Sequence, residues 1–324
     1  MILAGDVGGT KILLEAGDLR SGRWEPLIAR RYLIADFDHI CAVIERFTVE
    51  LDEVKPPRTR LTAAALGVAG PVLGNKVKMT NRGWSVDGDM IARRFGIPRL
   101  RIVNDLAAAA RGLEALSPRD FITLQPGKAA PDEPRVVLGV GTGLGVAYLV
   151  PGGKHHQVVP GEGGHVGFSP ASEQQAELWR ALASTRARVE AEQVCSGTGI
   201  SNIYGFLRRD GDCPAAAPER ADPAWISQRA MEKSDATCVA ALDLFAECLG
   251  NVAGDHALAV MARGGVYLAG GVIAKIAPAF NAERFRAAFC AKSLFSAQMM
   301  RIPVKLVRSE RLALLGAARL AASL

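Results

Sequence analysis

Ile2-Leu3-Ala4-Gly5-Asp6-Val7-Gly8-Gly9-Thr10-Lys11-Ile12-Leu13-Leu14-Glu15-Ala16 sets two apolar runs around a glycine turn. Short apolar runs bounded by such a turn read as a β-hairpin. Gly8 and Gly9 remove the side chains that would block close approach, so the turn's N–H groups can face phosphate oxygens. Thr10 adds a hydroxyl donor. Asp6, at the strand end, suits a hydrated Mg²⁺ rather than the phosphate itself, because two anions in contact repel. An ordinary tight hairpin uses the same residues, and Lys11 reads either as a phosphate neutraliser or as a solvent-facing strand lysine.

The pattern returns half a molecule later. The apolar runs 135–140 and 146–150 flank Gly141-Thr142-Gly143-Leu144-Gly145, so the chain reads as internally duplicated. Between the two copies, Phe37, Ile40, Cys41, Ile44, Phe47 and Leu51 recur at helical spacing. Strands are expected at 61–68, 76–79 and 100–103, and a helix at 106–116. Beyond the second copy, helices are expected at 172–188, 199–209 and 235–263, and a surface loop at 213–223. A strand at 266–269 ends in Gly270-Gly271, and a last strand and helix cover 302–307 and 312–324. The duplication predicts two α/β domains: a small one from 1–109 with 303–324, onto which the last strand and helix dock, and a large one from 110–302.

Asn104-Asp105 ends the apolar run from Leu100, which puts the Asp105 carboxylate at a strand's C-terminal edge, where open α/β sheets bind ligands. A general base belongs there, since a sugar hydroxyl is too weak an acid to ionise alone as its bond to phosphorus forms. The same pair is also suited to cap the helix that follows, and capping would orient the side chain without excluding chemistry. Pro160-Gly161-Glu162-Gly163-Gly164-His165 sets a carboxylate and an imidazole among glycines, a composition that exposes polar groups to a ligand. Glu192 precedes Ser196-Gly197-Thr198-Gly199, a turn that should cap the next helix. Several carboxylates and an amide suit a polyol, whose hydroxyls each donate and accept. Metal binding by Glu162 and His165 is the weaker reading, because no second histidine or cysteine stands at ligand spacing.

With 324 residues at 49% hydrophobic and 6% aromatic, the chain can bury a large core and fits an α/β enzyme. Six scattered cysteines without a Cys-x-x-Cys pair read as reduced, mostly buried thiols. A net charge of +6 is dispersed in short pairs such as Arg93-Arg94, so nucleic acid is not an expected partner. The apolar start lacks a basic n-region and is broken by Asp6 and Lys11, so neither a signal peptide nor a membrane span is expected, and the protein reads as cytoplasmic.

Set side by side, these segments resemble the bacterial glucokinase family, the hexokinase-related group without a structural zinc motif. The likeness rests jointly on Gly5-Asp6-Val7-Gly8-Gly9-Thr10, Met79-Thr80-Asn81 with Trp84, Val103-Asn104-Asp105, the run from Gly141 to Ala147, the run from Pro160 to Val166, Glu192 with Ser196-Gly197, and Ala269-Gly270-Gly271. It implies an actin-like ATPase (ribonuclease H-like) fold of two α/β domains, with nucleotide and sugar meeting in the cleft and domain closure excluding water. It implies ATP-dependent phosphorylation of glucose at the 6-hydroxyl, with ATP and Mg²⁺ as cofactors and a homodimeric assembly. Asp105 looks like the catalytic base, and Asn104, Glu162, His165 and Glu192 like the ligands of glucose hydroxyls. Gly8, Gly9, Thr10, Thr142 and Gly143 look like phosphate contacts, and Gly270-Gly271 like the adenosine-side turn.

The chain departs from the family's usual pattern at Gly167, at Thr198 and at Ser309-Glu310-Arg311-Leu312, which bears on sugar selectivity and affinity more than on reaction type. Alternatives are a kinase for another hexose, such as mannose or glucosamine, and a non-catalytic sugar sensor on the same fold. The sensor is disfavoured by the presence of Asp105 and by the lack of room for a helix-turn-helix before Asp6.

Overall fold

The computed structural model describes residues 1–54, 60–79, 83–153, 155–208 and 221–324. The first part of the chain forms β1 (Ile2–Val7), β2 (Lys11–Arg20), β3 (Arg23–Leu33), α1 (Ile40–Val54), β4 (Ala63–Val68), β5 (Val72–Leu73), β6 (Lys76–Lys78), β7 (Ser85–Asp87), α2 (Gly88–Phe95), β8 (Leu100–Asn104) and α3 (Asp105–Gly112). There follow β9 (Phe121–Gln125), β10 (Arg135–Val140), β11 (Leu144–Gly152), β12 (His155–Gly161), α4 (Glu173–Ala183), α5 (Gly197–Leu207), α6 (Pro223–Met231) and α7 (Ala236–Ala259). The chain ends with β13 (Gly265–Ala269), α8 (Gly271–Ile276), α9 (Ala282–Cys290), α10 (Ser296–Met299), β14 (Val304–Val307) and α11 (Leu312–Ser323). Unit 1 comprises Met1–Ser117 with Glu310–Leu324, and unit 2 comprises Pro118–Ser309.

The duplication read from the glycine turns is a duplication of sheets. Unit 1 has the strand order β3-β2-β1-β4-β8, and unit 2 repeats it as β12-β11-β10-β13-β14 with β9 added on the outside. In each, an antiparallel meander is followed by two strands parallel to its first member. The strand 304–307 therefore belongs to unit 2, not to the first domain as the sequence had suggested. Its Val304, Leu306 and Val307 are buried, and it pairs with β13 and β9. Only α11 docks on unit 1, and the boundary expected at 109 falls inside α3.

Both faces of β1 are covered, which is why it shows an apolar run rather than alternation. Leu3 and Val7 join a core with Phe47 and Ile44 of α1 and with Leu66. Ile2 and Ala4 face the other way, packing with Ala63 and Ala65 against Leu314, Ala317 and Ala318 of α11. The small side chains on that second face let α11 lie close to the sheet. Its N-terminus is anchored by Arg311, whose Nη2 donates to both oxygens of buried Glu15 at 2.6 and 2.7 Å, while Trp24 Nε1 donates to the same carboxylate at 2.6 Å.

Asn75 finishes the outer edge of the unit 1 sheet. Its amide donates to the Leu100 carbonyl at 3.2 Å and accepts from Ile102 N–H at 2.7 Å, the two groups that a further strand would pair. Its Nδ2 also donates to Asp89 at 2.8 Å, and its φ of 66° is a left-handed value that asparagine tolerates. Asn75→Ala leaves the Ile102 N–H and Leu100 carbonyl without these partners. A loss of about 3 kcal/mol is expected, read as a lower urea midpoint with unchanged m-value.

Unit 2 is built round α7, whose buried Leu242, Phe245, Leu249 and Val252 sit in one core with Val136, Leu138, Leu268 and Phe285. Among the described residues α7 is the one helix long and apolar enough to cross a membrane, but 67% of its apolar window is buried inside the protein. The Cys41, Cys195, Cys238 and Cys248 thiols are buried outside any disulfide, and Cys290 is half-buried. Residues 213–220 of the expected loop lie outside the described residues, and Pro223 starts α6 rather than ending that loop.

Candidate active site

In unit 1 the parallel pairing of β1, β4 and β8 sets Asp6 beside Gly67, and Gly67 beside Val103. Gly67 is what lets the next element start so near. A Cβ built on it would lie 3.0 Å from the Ala108 Cβ and 3.5 Å from the Asp105 Cα, so α3 begins over bare backbone. Asp6 and Asp105 thus gather at the C-terminal edge of the sheet, on the side where α3 and α11 pack. The first turn closes beside them, with Gly8 N–H donating to the Lys11 carbonyl at 3.1 Å and Thr10 exposed.

Asn104 is a genuine helix cap. Its Oδ1 accepts from Leu106 N–H at 3.0 Å and Ala107 N–H at 3.1 Å, and its Nδ2 donates to the Gly70 carbonyl at 3.3 Å. Asp105 Oδ1 accepts from Leu106 N–H at 2.8 Å. Capping and presentation of the carboxylate therefore coexist. Lys11 lies 3.5 Å from Glu310 of the departing segment Ser309-Glu310-Arg311-Leu312, so in this chain that segment faces the first turn.

Burial pushes the Asp6 carboxyl up to about 6 from its ordinary 3.8; the Asp105 charge adds to the rise and Lys11 opposes it. The stability linked to this raised group is full below about pH 4 and is lost as pH rises through about 6. Asp6→Asn cannot ionise. In metal-free buffer it should raise stability by about 2 kcal/mol at about pH 8 and leave it unchanged near pH 4, as read by melting temperature. The same crowded negative charge fits a hard cation. Among the described residues no group of three or more His, Cys, Asp or Glu is placed to hold a metal directly.

Unit 2 joins the second turn to the residues singled out as sugar ligands. Gly141 N–H donates to the Gly143 carbonyl at 2.9 Å, and Gly197 N–H at the start of α5 donates to the Gly141 carbonyl at 2.8 Å. Ser196 caps α5 by accepting from Gly199 N–H at 3.1 Å, and Thr198 donates to the Thr142 carbonyl at 3.3 Å. The turn thus adjoins a helix N-terminus, a favourable place for an anion. Gly270, with φ 112°, runs against the Val140 carbonyl, where a Cβ would overlap it, so Gly270-Gly271 lies beside the same turn.

Glu192 ties the two parts together. Its Oε2 accepts from Leu144 N–H at 2.8 Å and rests where a Gly143 side chain would begin, while Oε1 makes no hydrogen bond among the described residues. Gly164 lies on the Leu144 carbonyl with no space for a Cβ, and Val146 bridges to Glu162. The loop 161–165 is therefore laid along β11, the strand that leaves the second turn. Glu162 and His165 are exposed on it.

Glu190 is the residue the sequence reading missed. Its Oε2 lies 2.8 Å from His165 Nδ1. That hydrogen bond raises the His165 imidazole above its ordinary value; burial opposes it, and the charges of Glu192, Glu190 and Glu162 reinforce it. The available signal was local: Glu190 and Gln193 form a capping box across the short turn 191–193 that carries Glu192. Of the expected site residues, Gly5 through Thr10, Asn104 and Asp105 gather in unit 1, and Gly141 through Gly143, Glu162, His165, Glu192, Gly270 and Gly271 gather in unit 2. Thr80 and Asn81 of the expected motif lie outside the described residues.

The glucokinase family model matches residues 3–324. A glucokinase of Nostoc sp. is 34% identical over 345 residues, covering 100% of this chain and 99% of that protein. The crystal structure of a glucokinase from an Antarctic psychrotroph superposes with a TM-score of 0.86 at 29% identity, covering 100% of this chain and 99% of that one. A ROK family glucokinase from Streptomyces griseus, solved in complex with glucose and AMPPNP, shares the fold with a TM-score of 0.65 at 19% identity, covering 99% of each chain. The fold is the actin-like ATPase fold that the motifs implied. Matched along nearly its whole length by the family model and along all of it by the Nostoc protein, the chain belongs to the glucokinase family.

Proposed function

We propose that the chain transfers the γ-phosphoryl group of ATP to the 6-hydroxyl of glucose, giving glucose 6-phosphate and ADP, in the cytoplasm and as a homodimer. The observation that carries the residue roles is Asp105 at the C-terminal end of β8, beside Asp6 and the first turn. Asp105 takes the proton of the 6-hydroxyl as the oxygen attacks phosphorus. Its carboxylate is held for this by Leu106 N–H at the start of α3, where the helix dipole favours an anion. Asn104 presents its amide from the same strand end to a sugar hydroxyl.

Glu162, His165 and Glu192 hold the remaining hydroxyls, each as a directional partner. Glu190 acts through His165: by holding Nδ1 it turns Nε2 of that ring toward a ligand. The N–H groups of Gly9 and Gly143 and the hydroxyls of Thr10 and Thr142 contact the donor phosphates; Gly8, whose N–H is taken by the Lys11 carbonyl, lets them approach over bare backbone, and Gly270-Gly271 borders the adenosine. Asp6 would hold Mg²⁺ through water, and the ion would supply neutralisation of the phosphate charge.

A coupled assay of ADP release with ATP and Mg²⁺ over glucose, mannose and glucosamine tests this. Glucose is expected to show a kcat/KM at least about tenfold above the others, since a site built to pair each hydroxyl penalises a misplaced one. Comparable turnover of the epimers would replace glucose with a broader hexose class, and no turnover of any sugar would favour the sensor.

A further inference from the structure

Beneath the loop 161–165 lies a polar pair that none of the roles above uses. His256, on α7 and 7% exposed, places Nδ1 2.8 Å from the hydroxyl of Tyr148 on β11. A Cβ built on Gly163 would lie 2.9 Å from His256 Cε1, and one built on Gly161 would lie 3.8 Å from Tyr148 Cε2. The loop backbone therefore rests directly on these two rings. His256 Nε2 is buried without a hydrogen-bond partner of ordinary geometry among the described residues, and the ring makes only a loose hydrogen bond to the Gly163 backbone.

A buried ring nitrogen without a well-formed hydrogen bond is costly. Burial holds this imidazole below its ordinary value, and Asp255 and the Gly163 backbone oppose the shift. The ring is thus neutral near pH 7. In a neutral imidazole one nitrogen accepts and the other donates. A phenol is the better donor of the pair, so Tyr148 O–H donates to Nδ1 and the ring proton sits on Nε2, on the side of the loop.

We propose that Tyr148 and His256 are positioning residues for the sugar loop: His256 Nε2–H donates to the Gly163 carbonyl when the loop tightens on the sugar, and Tyr148 fixes the tautomer that allows it. The proposal rests on reading the loop 161–165 as the sugar site. Sugar binding then tightens a contact with the Gly163 backbone that here falls short of ordinary hydrogen-bond geometry, without either side chain touching the substrate. An aliphatic pair of similar volume would support the loop but could not reward its closure.

His256→Phe and Tyr148→Phe should each raise the KM for glucose about tenfold, with the KM for ATP within about twofold of the native value. His256→Gln, whose Nε2 amide reaches a similar point, should recover most of the loss. On the unmodified protein, two-bond ¹H–¹⁵N spectra of the histidine side chains read the tautomer directly, with His256→Gln assigning the signal. An Nε2–H ring whose Nε2 shift moves as glucose saturates is the expected result. An Nδ1–H ring, an Nε2 shift unmoved at saturating glucose, or unchanged glucose KM in both phenylalanine variants would overturn the proposal. Glu162→Gln serves as the control. If it weakens glucose while the pair does not, only this inference fails; if it too leaves glucose binding intact, the reading of the loop as the sugar site fails.

Discussion

Asp105→Ala is expected to lower kcat about a thousandfold while leaving the glucose KM within a few-fold of native, the signature of a group needed in the transition state rather than for binding. The variant is a clean test because the helix does not depend on Asp105 for its cap. Leu106 N–H, which Asp105 Oδ1 accepts, is also accepted by Asn104, and Asn104 accepts Ala107 N–H as well. Removing Asp105 also removes a charge that raises the Asp6 carboxyl, and a melting curve at neutral pH checks that the variant is folded under the assay conditions. Asn104→Ala should behave in the opposite way. It loses the cap, at about 1 kcal/mol, and the sugar contact together, so its glucose KM should rise with its stability falling. Turnover by Asp105→Ala above about a tenth of native, with intact fold, would remove Asp105 from the role of base.

What was legible in the sequence was what is local. The hairpin turns at Gly8-Gly9 and 141–143 announce themselves because flanking apolar runs and glycines lie next to one another, and β1, β2, β10 and β11 follow from them. The helical stripe of α7 is visible for the same reason. By contrast β3 went unread: it is an edge strand, with Arg23, Glu25, Arg30 and Arg31 exposed and Pro26 near a register shift, so neither alternation nor an apolar run marks it. The strand 304–307 was read but given to the wrong sheet, because nothing in a short apolar run says which neighbour it pairs with.

The site divides along the same line. Asp105, Glu162 and His165 stand out as polar residues among glycines or at a strand end. Glu190, Asn75 and His256 do not, since each takes its meaning from a partner far along the chain: His165, Ile102 and Tyr148 respectively. His256 in particular sits in the apolar stretch of α7 and reads there as an ordinary core residue.

Gly316→Ala is expected to damage stability and catalysis together, although the residue lies on α11 far along the chain from any motif. A Cβ on Gly316 would overlap the Ala108 carbonyl oxygen and come within 2.8 Å of Gly112 N, and one on Gly112 would overlap the Leu312 carbonyl. The two helices meet backbone to backbone. Helix α11 cannot retreat, because Leu314, Ala317 and Ala318 on its other side are packed on Ala63 and Ala65 and its start is pinned by Arg311 and Glu15. The added methyl must therefore push α3, and overpacking of this kind costs about 3 kcal/mol. The N-terminus of α3 carries Asp105, so a shift of about 1 Å there should cost up to about a hundredfold in kcat even where the protein stays folded. Gly205, in the last turn of α5, has nothing within 4 Å of a built Cβ, so Gly205→Ala should instead stabilise by about 0.5–1 kcal/mol and leave kcat alone. Measured side by side at a temperature where all three proteins are folded, a native kcat in Gly316→Ala would show that α3 holds Asp105 independently of α11.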